Sequence, residues 1–443
     1  MSYAAAIEGL FSLAGELHAP PGQPRRKFDL AEMRVLTAAL GNPEQRFSSV
    51  LVAGTNGKGS TSATLASILC SAGYRTGLYT SPHLSRVNER VRIDRDEICD
   101  DDFAALYFRV DDCARALVSE GTLRSYPSFF ETMTALAFVA FAEKKVEIAV
   151  LEVGMGGRLD ATNIVDPLLS VITDISLDHT EWLGPTIAAI TREKAGILRP
   201  NGIMVTLPQH PEANQAIGEI ATALNVRGVN AAAYVPGRAE TGKGSGYSLT
   251  VCGESMQVDS PLRGAHQQRN TALAIAAAVE LRNSYSYNIS AAQIAEGIRL
   301  TRWPGRMERV PGSGHADILL DVAHNPAGAW VLRSALSHLD PEPRGITAVF
   351  GCLADKPVRD IAQILFPLFD SVVLTDIDSP RRASRVSMVA AAEATGVRIY
   401  TADDAQSAID QAWAVTPRDG LVVVTGSVFL VGAVRSIVVE TGW

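Results

Sequence analysis

A glycine-rich loop with an embedded lysine lies at residues 51–61, where the sequence reads LVAGTNGKGST. Its glycines allow backbone N–H groups to turn towards an anion at the start of a helix. Lys58 adds a mobile positive charge, and Ser60 or Thr61 offers a hydroxyl to a phosphate or a metal ion. The loop therefore has the residue types of a nucleotide phosphate site. The candidate residues are Gly54, Thr55, Asn56, Gly57, Lys58, Gly59, Ser60 and Thr61.

The spacing within this loop departs from the usual phosphate-binding pattern. That pattern has a glycine five positions before the Gly-Lys pair, whereas this chain has Val52 there. An additional residue, Gly59, separates Lys58 from the hydroxyl that follows. An ordinary glycine-rich turn between a strand and a helix would have the same composition. On the loop alone, both interpretations stay open.

Polar residues follow three further apolar runs, and they carry groups that a buried core does not tolerate. The segments are 80–84 (TSPHL), 152–163 (EVGMGGRLDATN) and 178–184 (DHTEWLG). In open parallel sheets, ligands bind outside the carboxyl ends of the strands. We therefore expect these segments to converge on the edge of the sheet that carries the glycine-rich loop.

Ser81, Glu152 and His179 are the metal-binding candidates within these segments. A hydroxyl, a carboxylate and one imidazole suit a magnesium ion that also takes phosphate oxygens as ligands. Each residue also has a plain structural interpretation, as a turn hydroxyl, an ion-pair partner and a hydrogen-bonded loop histidine respectively. Their occurrence together beside a phosphate loop favours the metal site.

Four other polar residues have an equally plain alternative. Lys194, by its spacing, is a solvent-exposed lysine of a helix. Arg306 either forms an ion pair in a linker or reaches a nucleotide. Asp321 and His324 either contact a ribose or a base edge or cap the helix that follows.

The composition is that of an ordinary soluble globular protein. Hydrophobic residues make up 47% of the 443 residues and charged residues 20%. The net charge of −8 gives no basic surplus for a nucleic-acid binder. The five cysteines form no CxxC pair, which favours reduced thiols in the cytoplasm. Residues 1–18 are predicted as an amphipathic helix, and no apolar run is long enough for a membrane span.

The alternation of apolar strands and helical segments predicts an α/β fold with two domains. The first, residues 1–302, contains a mostly parallel sheet, and the second, residues 303–443, is a smaller α/β domain. Residues 227–246 show no clear period and are predicted as an irregular excursion before a hairpin at 247–258. Strands are predicted at 48–53, 76–79, 146–152, 168–173, 203–206, 317–322, 347–350, 372–375, 398–400 and 421–425, and helices at 62–74, 128–144, 187–198 and 267–281.

Seven motifs occur in the order that a known family shows. They are the loop at 54–60, the segments 80–84, 152–163 and 178–184, EKAG at 193–196, RWPGRME at 302–308 and DVAHNP at 321–326. Together they closely resemble folylpolyglutamate synthase/dihydrofolate synthase, a member of the Mur ligase superfamily. The likeness runs from about residue 28 to TGSVFLVG at 425–432. The glycine after Lys58, unusual in a general phosphate loop, is a feature of this family.

The resemblance implies the Mur ligase architecture and an amide-forming reaction. An N-terminal P-loop-type ATPase domain with a mostly parallel sheet would precede a smaller, Rossmann-like C-terminal domain. ATP would phosphorylate a carboxylate of the folate precursor, and the α-amine of L-glutamate would attack the resulting acyl phosphate. In such a reaction, positioning and charge neutralisation carry most of the catalysis.

The resemblance also implies roles for individual residues. Lys58 and the loop amides would hold the phosphates of ATP, with Ser60 near the γ-phosphate. Ser81, Glu152 and His179 match magnesium ligands, and His179 is better understood as a ligand than as a general base. Lys194 matches a lysine that is carbamylated in the family, and its carbamate would bind a second magnesium ion.

Nucleotide and pterin contacts complete the implied site. Asn270, Arg306, Asp321 and His324 match residues that contact ATP, and closure of the C-terminal domain would exclude water. Arg34, Phe129, Phe130 and Glu131 are similar to the pterin-binding surface.

Two other functions stay open at this point. One is an amide ligase of the same superfamily that acts on a cell-wall nucleotide precursor, although Gly59 and the segment 80–84 favour the folate branch. The other is a nucleotide-dependent switch that hydrolyses ATP slowly. The sequence does not decide between dihydropteroate and a folate as the acceptor. We expect a cytoplasmic monomer that acts on small molecules, without a nucleic-acid or membrane partner.

Overall fold

The computed structural model describes residues 2–13, 29–237, 246–339 and 342–439. Parts of the predicted N-terminal helix and of the predicted irregular excursion, at 14–18 and 238–245, lie outside these residues. The chain forms two compact units. Unit 1 comprises residues 1–81, 88–261 and 267–302, and unit 2 comprises residues 82–87, 262–266 and 303–443.

Unit 1 contains an eight-stranded, mostly parallel sheet. Its strands are β1 (Ser48–Ala53), β2 (Thr76–Tyr79), β3 (Val91–Ile93), β4 (Asp96–Glu97), β5 (Ile148–Glu152), β6 (Leu169–Ile172), β7 (Ile203–Thr206) and β8 (Arg227–Asn230). The order across the sheet is β4-β3-β2-β5-β1-β6-β7-β8. The pairs β2–β3 and β3–β4 are antiparallel, and the other neighbouring pairs are parallel. The central position of β1 places the glycine-rich loop between the loops that follow β5 and β6.

Helices cover this sheet, and several are preceded by a polar N-cap residue, whose side chain accepts a hydrogen bond from the first turn. Asp29, Ser128, Thr186 and Ser290 each accept a hydrogen bond from a backbone N–H of the first turn. The helices are α1 (Tyr3–Ser12), α2 (Leu30–Ala39), α3 (Lys58–Ser71), α4 (Asp100–Ser119), α5 (Phe129–Glu143), α6 (Thr180–Leu183), α7 (Ile187–Ala195), α8 (Pro211–Ala223), α9 (Ala265–Tyr285) and α10 (Ala291–Arg299).

The helix after the glycine-rich loop differs from its prediction in two respects. It begins at Lys58 rather than at Ser62. Gly59 lowers the helix propensity of the first turn, but the burial of this turn in the fold outweighs that cost. It also buries its residues on all sides from Gly59 to Leu69, whereas the sequence pattern predicted one apolar face. Helix α3 is therefore an internal helix, which fixes the loop at its start.

The region before the hairpin is more regular than the sequence indicates. Residues 227–230 form the edge strand β8, and Ala231–Tyr234 form a short 3-10 helix. The prediction of an irregular excursion is therefore wrong for these residues, because a strand at the sheet edge can carry polar, exposed residues. The predicted hairpin is confirmed as β9 (Gly246–Val251) and β10 (Glu254–Asp259).

Unit 2 is a doubly wound α/β unit with a six-stranded sheet. Its strands are β11 (Glu308–Val310), β12 (Asp317–Leu320), β13 (Ile346–Phe350), β14 (Ser371–Thr375), β15 (Arg398–Ala402) and β16 (Leu421–Thr425), in the order β11-β12-β16-β13-β14-β15. All neighbours pair in parallel except β11 and β12. Its helices are α11 (Pro326–Leu336), α12 (Val358–Leu365), α13 (Arg385–Glu393), α14 (Ala405–Val415) and α15 (Val428–Val438).

Successive strand residues of unit 2 enter two different cores. On one face, Val372 and Leu374 pack with residues of α11, α12 and α13. On the other face, Val373 and Val422 pack with residues of α14 and α15. This alternation follows from the two-residue period of a strand that is covered on both faces. Among the described residues, no helix is both long enough and apolar enough to cross a membrane.

Candidate nucleotide and metal site

The glycine-rich loop joins the end of β1 to the start of α3. Gly54 has φ +152° and Gly57 has φ +87°, and both values are unfavourable for residues with a side chain. Gly59 instead lies in the first turn of α3. Gly54 and Gly57 thus turn the backbone, whereas Gly59 extends the helix and contributes its N–H group to the first turn.

The N–H groups of the loop fall into two sets. Those of Thr55 and Asn56 donate to the carbonyl oxygen of Asp174, at 2.9 and 3.1 Å. The prediction that the loop amides face an anion is therefore wrong for these two residues, which anchor the loop to the end of β6. The N–H groups of Lys58 and Ser60 lie in the first turn of α3, where an α-helix provides no internal acceptor. That turn is the part of the loop suited to an anion.

Two lysine side chains converge on one carbonyl oxygen of the loop. Nζ of Lys58 donates to the carbonyl oxygens of Gly54 and Thr55, at 3.1 and 3.2 Å. Nζ of Lys194 donates to the same Gly54 oxygen at 2.7 Å. Lys194 is only 4% exposed, so the interpretation as a solvent-exposed helix lysine is wrong.

The pKa of Lys194 is lowered to about 7. Burial is the largest cause, and the nearby positive charge of Lys58 acts in the same direction. The negative charges of Asp178 and Asp160 act in the opposite direction. A buried ammonium group lacks the solvation that stabilises its charge. Lys194 therefore loses its proton more readily than an exposed lysine does.

Asn270 packs directly on the loop. A Cβ atom at Gly57 would lie 2.9 Å from Cγ of Asn270, so a side chain there would displace the Asn270 amide from the loop. The Nδ2 atom of Asn270 donates to Oε1 of Gln267 at 2.9 Å. The backbone carbonyl oxygen of Asn270 accepts from Oγ1 of Thr61 at 3.4 Å. The structure thus brings the predicted nucleotide contact Asn270 beside the loop, oriented by Gln267, a residue that the sequence analysis did not select.

Ser81 and Glu152 meet at the carboxyl ends of β2 and β5. The backbone N–H of Ser81 donates to Oε2 of Glu152 at 3.1 Å, and Glu152 is 4% exposed. The buried side chain of Arg90 lies close enough for the charge of Glu152 to affect its pKa, which burial lowers and Tyr79 and Glu152 raise. Arg90 was not a candidate from sequence, because a charged residue before a short strand is typical of a solvated surface.

His179 lies at the start of α6 with a left-handed backbone (φ +49°, ψ +38°). Its Nε2 atom is 3.8 Å from Oδ2 of Asp178, and its N–H donates to Oδ1 of Asp178 at 3.0 Å. Because Asp178 also acts on the pKa of Lys194, this loop lies within electrostatic range of Lys194. A non-glycine residue in this conformation costs free energy, and such strain often occurs at functional sites.

Asp160 organises the loop that follows Glu152. Its Oδ2 atom accepts from the N–H groups of Gly154 and Met155, at 2.9 and 3.2 Å, and its Oδ1 atom accepts from both N and Oγ1 of Thr162. Burial raises the pKa of Asp160, and these hydrogen bonds oppose that shift. The carboxylate thus fixes a glycine-rich loop beside the candidate metal ligand.

The predicted pterin residues Phe129, Phe130 and Glu131 form the first turn of α5. Oε2 of Glu131 accepts from N and Oγ of Ser128, both at 2.7 Å, and these bonds form a capping box at the helix start. The guanidinium carbon of Arg90 lies 5.1 Å from the centre of the Phe129 ring, and the Phe130 ring is 5.9 Å from that of Tyr79. Arg34 is exposed on α2.

The remaining nucleotide candidates belong to unit 2. Asp321 is buried, and its carboxylate accepts from the N–H groups of Met307 and Ala323, each at 3.0 Å. Burial raises its pKa, and the charge of Arg306 opposes that shift. Nδ1 of His324 is 2.8 Å from the carbonyl oxygen of Val322. The residue that caps α11 is Asn325, so the capping interpretation of Asp321 and His324 is wrong.

The donor set near the loop fits magnesium better than a transition metal. Within the described ranges, no three His, Cys, Asp or Glu side chains are grouped so that they could share a metal ion. Ser81, Glu152 and His179 include only two side chains of these types. Magnesium keeps several waters and takes phosphate oxygens, so it needs few protein ligands. The oxygen donors of Ser81 and Glu152, which lie together at the ends of β2 and β5, therefore suit magnesium with a phosphate, and His179 stays a predicted ligand.

Comparisons with known proteins find relatives that match most of this chain. The Mur ligase middle domain matches residues 52–278, and the Mur ligase glutamate ligase domain matches residues 305–428. The dihydrofolate synthase/folylpolyglutamate synthase of Bacillus subtilis is 34% identical over 412 residues, which are 92% of this chain and 94% of that protein. This chain belongs to the folylpolyglutamate synthase/dihydrofolate synthase family. Folylpolyglutamate synthase of Lacticaseibacillus casei is 35% identical, over 91% of this chain and 93% of that protein.

The fold of this family member is also that of a solved relative. Mycobacterium tuberculosis folylpolyglutamate synthase, complexed with ADP, matches with a TM-score of 0.89 and 32% identity over 99% of both chains. The predicted α/β architecture, with a large mostly parallel sheet and a second C-terminal sheet, is therefore confirmed.

Proposed function

We propose that this chain is an ATP-dependent ligase that adds L-glutamate to a carboxylate of dihydropteroate or of a folate. The observation that carries the proposal is the convergence of Lys58 and Lys194 on the Gly54 carbonyl at the start of α3. The relatives named folylpolyglutamate synthase and dihydrofolate synthase, together with the ADP complex of one of them, support the same substrates for this chain.

In the proposed reaction, an acceptor carboxylate oxygen attacks the γ-phosphorus of ATP, and ADP leaves. The α-amine of glutamate then attacks the acyl carbon, loses a proton, and inorganic phosphate leaves. Lys58 and the N–H groups at the start of α3 would bind the phosphates and offset the charge of two anions brought together. Asn270, Arg306, Asp321 and His324 would contact the nucleotide.

Ser81, Glu152 and His179 would hold a magnesium ion, which would supply further positive charge to the triphosphate and the acceptor carboxylate. Lys194 would become a carbamate, because its neutral amine is the form that combines with carbon dioxide. The resulting carboxylate is a suitable ligand for a second magnesium ion. Support for this role comes from the burial of Lys194 and from its lowered pKa.

The proposal also covers domain roles and the acceptor. Residues 1–302 would form the ATP-binding domain and residues 303–443 the C-terminal Mur ligase domain, in a monomeric cytoplasmic enzyme. Phe129, Phe130 and Arg34 would contact the pterin, while Glu131 would shape that surface by fixing the start of α5.

One parallel assay tests the function and selects the acceptor. Purified protein is incubated with ATP, magnesium and labelled glutamate, and with dihydropteroate in one reaction and tetrahydrofolate in the other. Label incorporation with either acceptor supports the ligase, and incorporation with both indicates a bifunctional enzyme. Phosphate release with a uridine-diphosphate sugar acid alone would indicate a cell-wall ligase instead.

A nucleotide-dependent switch is distinguished by an isotope experiment. In a ligase, reversible acyl phosphate formation moves labelled oxygen between the bridging and non-bridging positions of ATP only when the acceptor carboxylate is present. Exchange without acceptor, or none with it, would contradict the acyl phosphate route.

The carbamate on Lys194 gives a separate prediction. Lys194→Ala should lose activity, since the second magnesium ion then lacks its carboxylate ligand, and short carboxylates such as acetate should restore part of it. The rate of glutamate addition is measured against acetate concentration, with chloride at equal ionic strength as the control. Wild-type rates without acetate would contradict a carbamate.

A further inference from the structure

Two glycines of unit 1 bring a loop and a helix end closer than side chains allow. A Cβ atom at Gly157 would lie 2.7 Å from the carbonyl oxygen of Lys194 and 2.8 Å from that of Glu193. A Cβ atom at Gly196 would lie 2.7 Å from Cα of Arg158. Real Cβ atoms essentially never approach within 3.0 Å.

The requirement at these glycines is space rather than backbone conformation. Gly196 has an ordinary helical φ of −63°, and Gly157 is absent from the residues with positive φ in the described chain. Either position would accept alanine if its surroundings were open. What excludes a side chain is the opposing backbone, which cannot rotate away as a flexible side chain can.

Hydrogen bonds join the same two segments. The N–H of Arg158 donates to the carbonyl oxygen of Glu193 at 2.8 Å. Nδ2 of Asn163 donates to the carbonyl oxygens of Arg158 and Gly196, both at 3.1 Å. We name Gly157, Arg158, Asn163 and Gly196 the glycine clamp. It holds the loop after β5 against the last turn of α7.

We infer that the glycine clamp positions Lys194 relative to Glu152. Glu152 ends β5 immediately before the clamped loop, and Lys194 lies in the clamped turn of α7, with Nζ 2.7 Å from the Gly54 carbonyl oxygen. Both residues are metal ligands in the proposed function, on which this inference rests. The clamp thus fixes the separation of two ligands that come from different elements.

The positioning role follows from how little displacement a metal site tolerates. A ligand must be held within about 0.5 Å of its productive geometry, and residues outside the ligand set supply that precision. A methyl group at residue 157 would push against two backbone carbonyls of the turn that carries Lys194. The turn would move as a unit, because its carbonyls belong to a packed helix end.

The test compares Gly157→Ala with Gly218→Ala. Gly218 is exposed on α8, and nothing lies within 4 Å of a Cβ atom placed there. Calorimetry measures ADP affinity with and without magnesium, and an assay measures the magnesium concentration for half-maximal glutamate addition. For Gly157→Ala, we expect unchanged ADP affinity without magnesium and a loss of about 10–100-fold in magnesium affinity. For Gly218→Ala, we expect wild-type values throughout.

A second variant covers the case in which Gly157→Ala does not fold. Asn163→Ala removes the amide that joins the loop to the helix end and introduces no steric overlap, so it should weaken magnesium binding in the same direction. Wild-type magnesium dependence in a folded Gly157→Ala protein, or in Asn163→Ala if the first variant fails to fold, would overturn the inference. If the wild-type protein adds no glutamate to either acceptor, the proposed function fails while the calorimetry still tests the clamp.

Discussion

The carbonyl oxygen of Gly54 accepts hydrogen bonds from both Lys58 and Lys194. Burial is the main cause of the lowered pKa of Lys194, and repulsion from Lys58 contributes. Two ammonium groups on one acceptor are unfavourable unless one of them loses its proton or an anion binds between them. The site is therefore arranged for a change of charge, either through a bound phosphate or through chemistry at the Lys194 amine.

Replacing Lys194 by methionine should stabilise the fold in a pH-dependent manner. The pKa of Lys194 is about 7 in the folded protein, whereas an exposed lysine has its ordinary pKa of 10.5. Between these values the unfolded chain binds the additional proton, so wild-type stability rises with pH; below about pH 7 the cost of the buried charge is present in full. The free energy of unfolding of Lys194→Met should therefore exceed that of the wild type most near pH 6, and the difference should shrink towards pH 9.

Urea unfolding of both proteins, in metal-free and carbon-dioxide-free buffer, measures this difference. A difference in unfolding free energy that stays constant across this pH range would contradict a buried, neutralisable lysine.

Lys58→Ala and Glu152→Ala should each abolish ligation and leave the fold intact. Removing one preorganised charge contact from a reacting anion typically costs about 100-fold or more in rate. The rate of labelled glutamate addition is measured beside circular dichroism. Lys144→Ala is the matched control, because Lys144 forms only a surface ion pair with Asp102 at 2.8 Å. Full activity in either site variant would refute its assignment.

The start of α5 links helix stability to the candidate acceptor surface. Ser128 and Glu131 cap the helix, and Phe129 and Phe130 lie between them in the sequence. The rings therefore keep their positions only while the first turn is formed. A residue that contacts no ligand can in this way influence the binding of an acceptor.

Ser128→Ala should lower the free energy of unfolding by about 0.5–2 kcal/mol, because it removes the cap of α5. It should also raise KM for the pterin acceptor. Ser290→Ala is the matched control, since Ser290 forms the same capping box with Gln293 at the start of α10. Chemical unfolding and acceptor titrations test both variants. An equal effect on KM in the two variants would contradict a specific influence of the α5 cap on acceptor binding.

The sequence predicted elements best where local pattern and tertiary position agree. The strand at 48–53 and the loop after it were recognisable because an apolar run, glycines and a lysine are adjacent in the chain. The strands β3, β4 and β11 were missed, since each is only two or three residues long and its pairing partner supplies the order. The burial of Arg90 and of Lys194 was not recognisable, because each depends on segments distant in sequence that pack over it.

Unit 2 includes two segments that lie within the sequence of unit 1. Residues 82–87 follow Ser81 directly and pack within unit 2. A Cβ atom at Gly432 of α15 would lie 2.8 Å from the carbonyl carbon of Leu84, and Leu84 packs against the core that contains Val431. Unit 2 is therefore incomplete if the chain is divided at residue 302.

An isolated fragment of residues 303–443 should consequently be destabilised, because removing residues 82–87 uncovers apolar side chains beside α15. Loss of a cooperative urea transition and binding of a hydrophobic dye are the expected results. The control is the full chain cleaved at an engineered protease site between residues 302 and 303, which retains every segment and should unfold cooperatively. A fragment as stable as the cleaved protein would contradict this expectation.

The close approach of Leu84 to Gly432 also restricts where two related proteins can be recombined into a chimera. A chimera that joins the first 302 residues of this chain to the corresponding remainder of a relative would place a foreign six-residue segment inside the second unit. Any side chain larger than hydrogen at position 432, or a shifted backbone at position 84, would then create an overlap that neither parent contains. Recombination at the apparent boundary would therefore yield functional hybrids only when the segment at 82–87 is inherited together with the C-terminal unit.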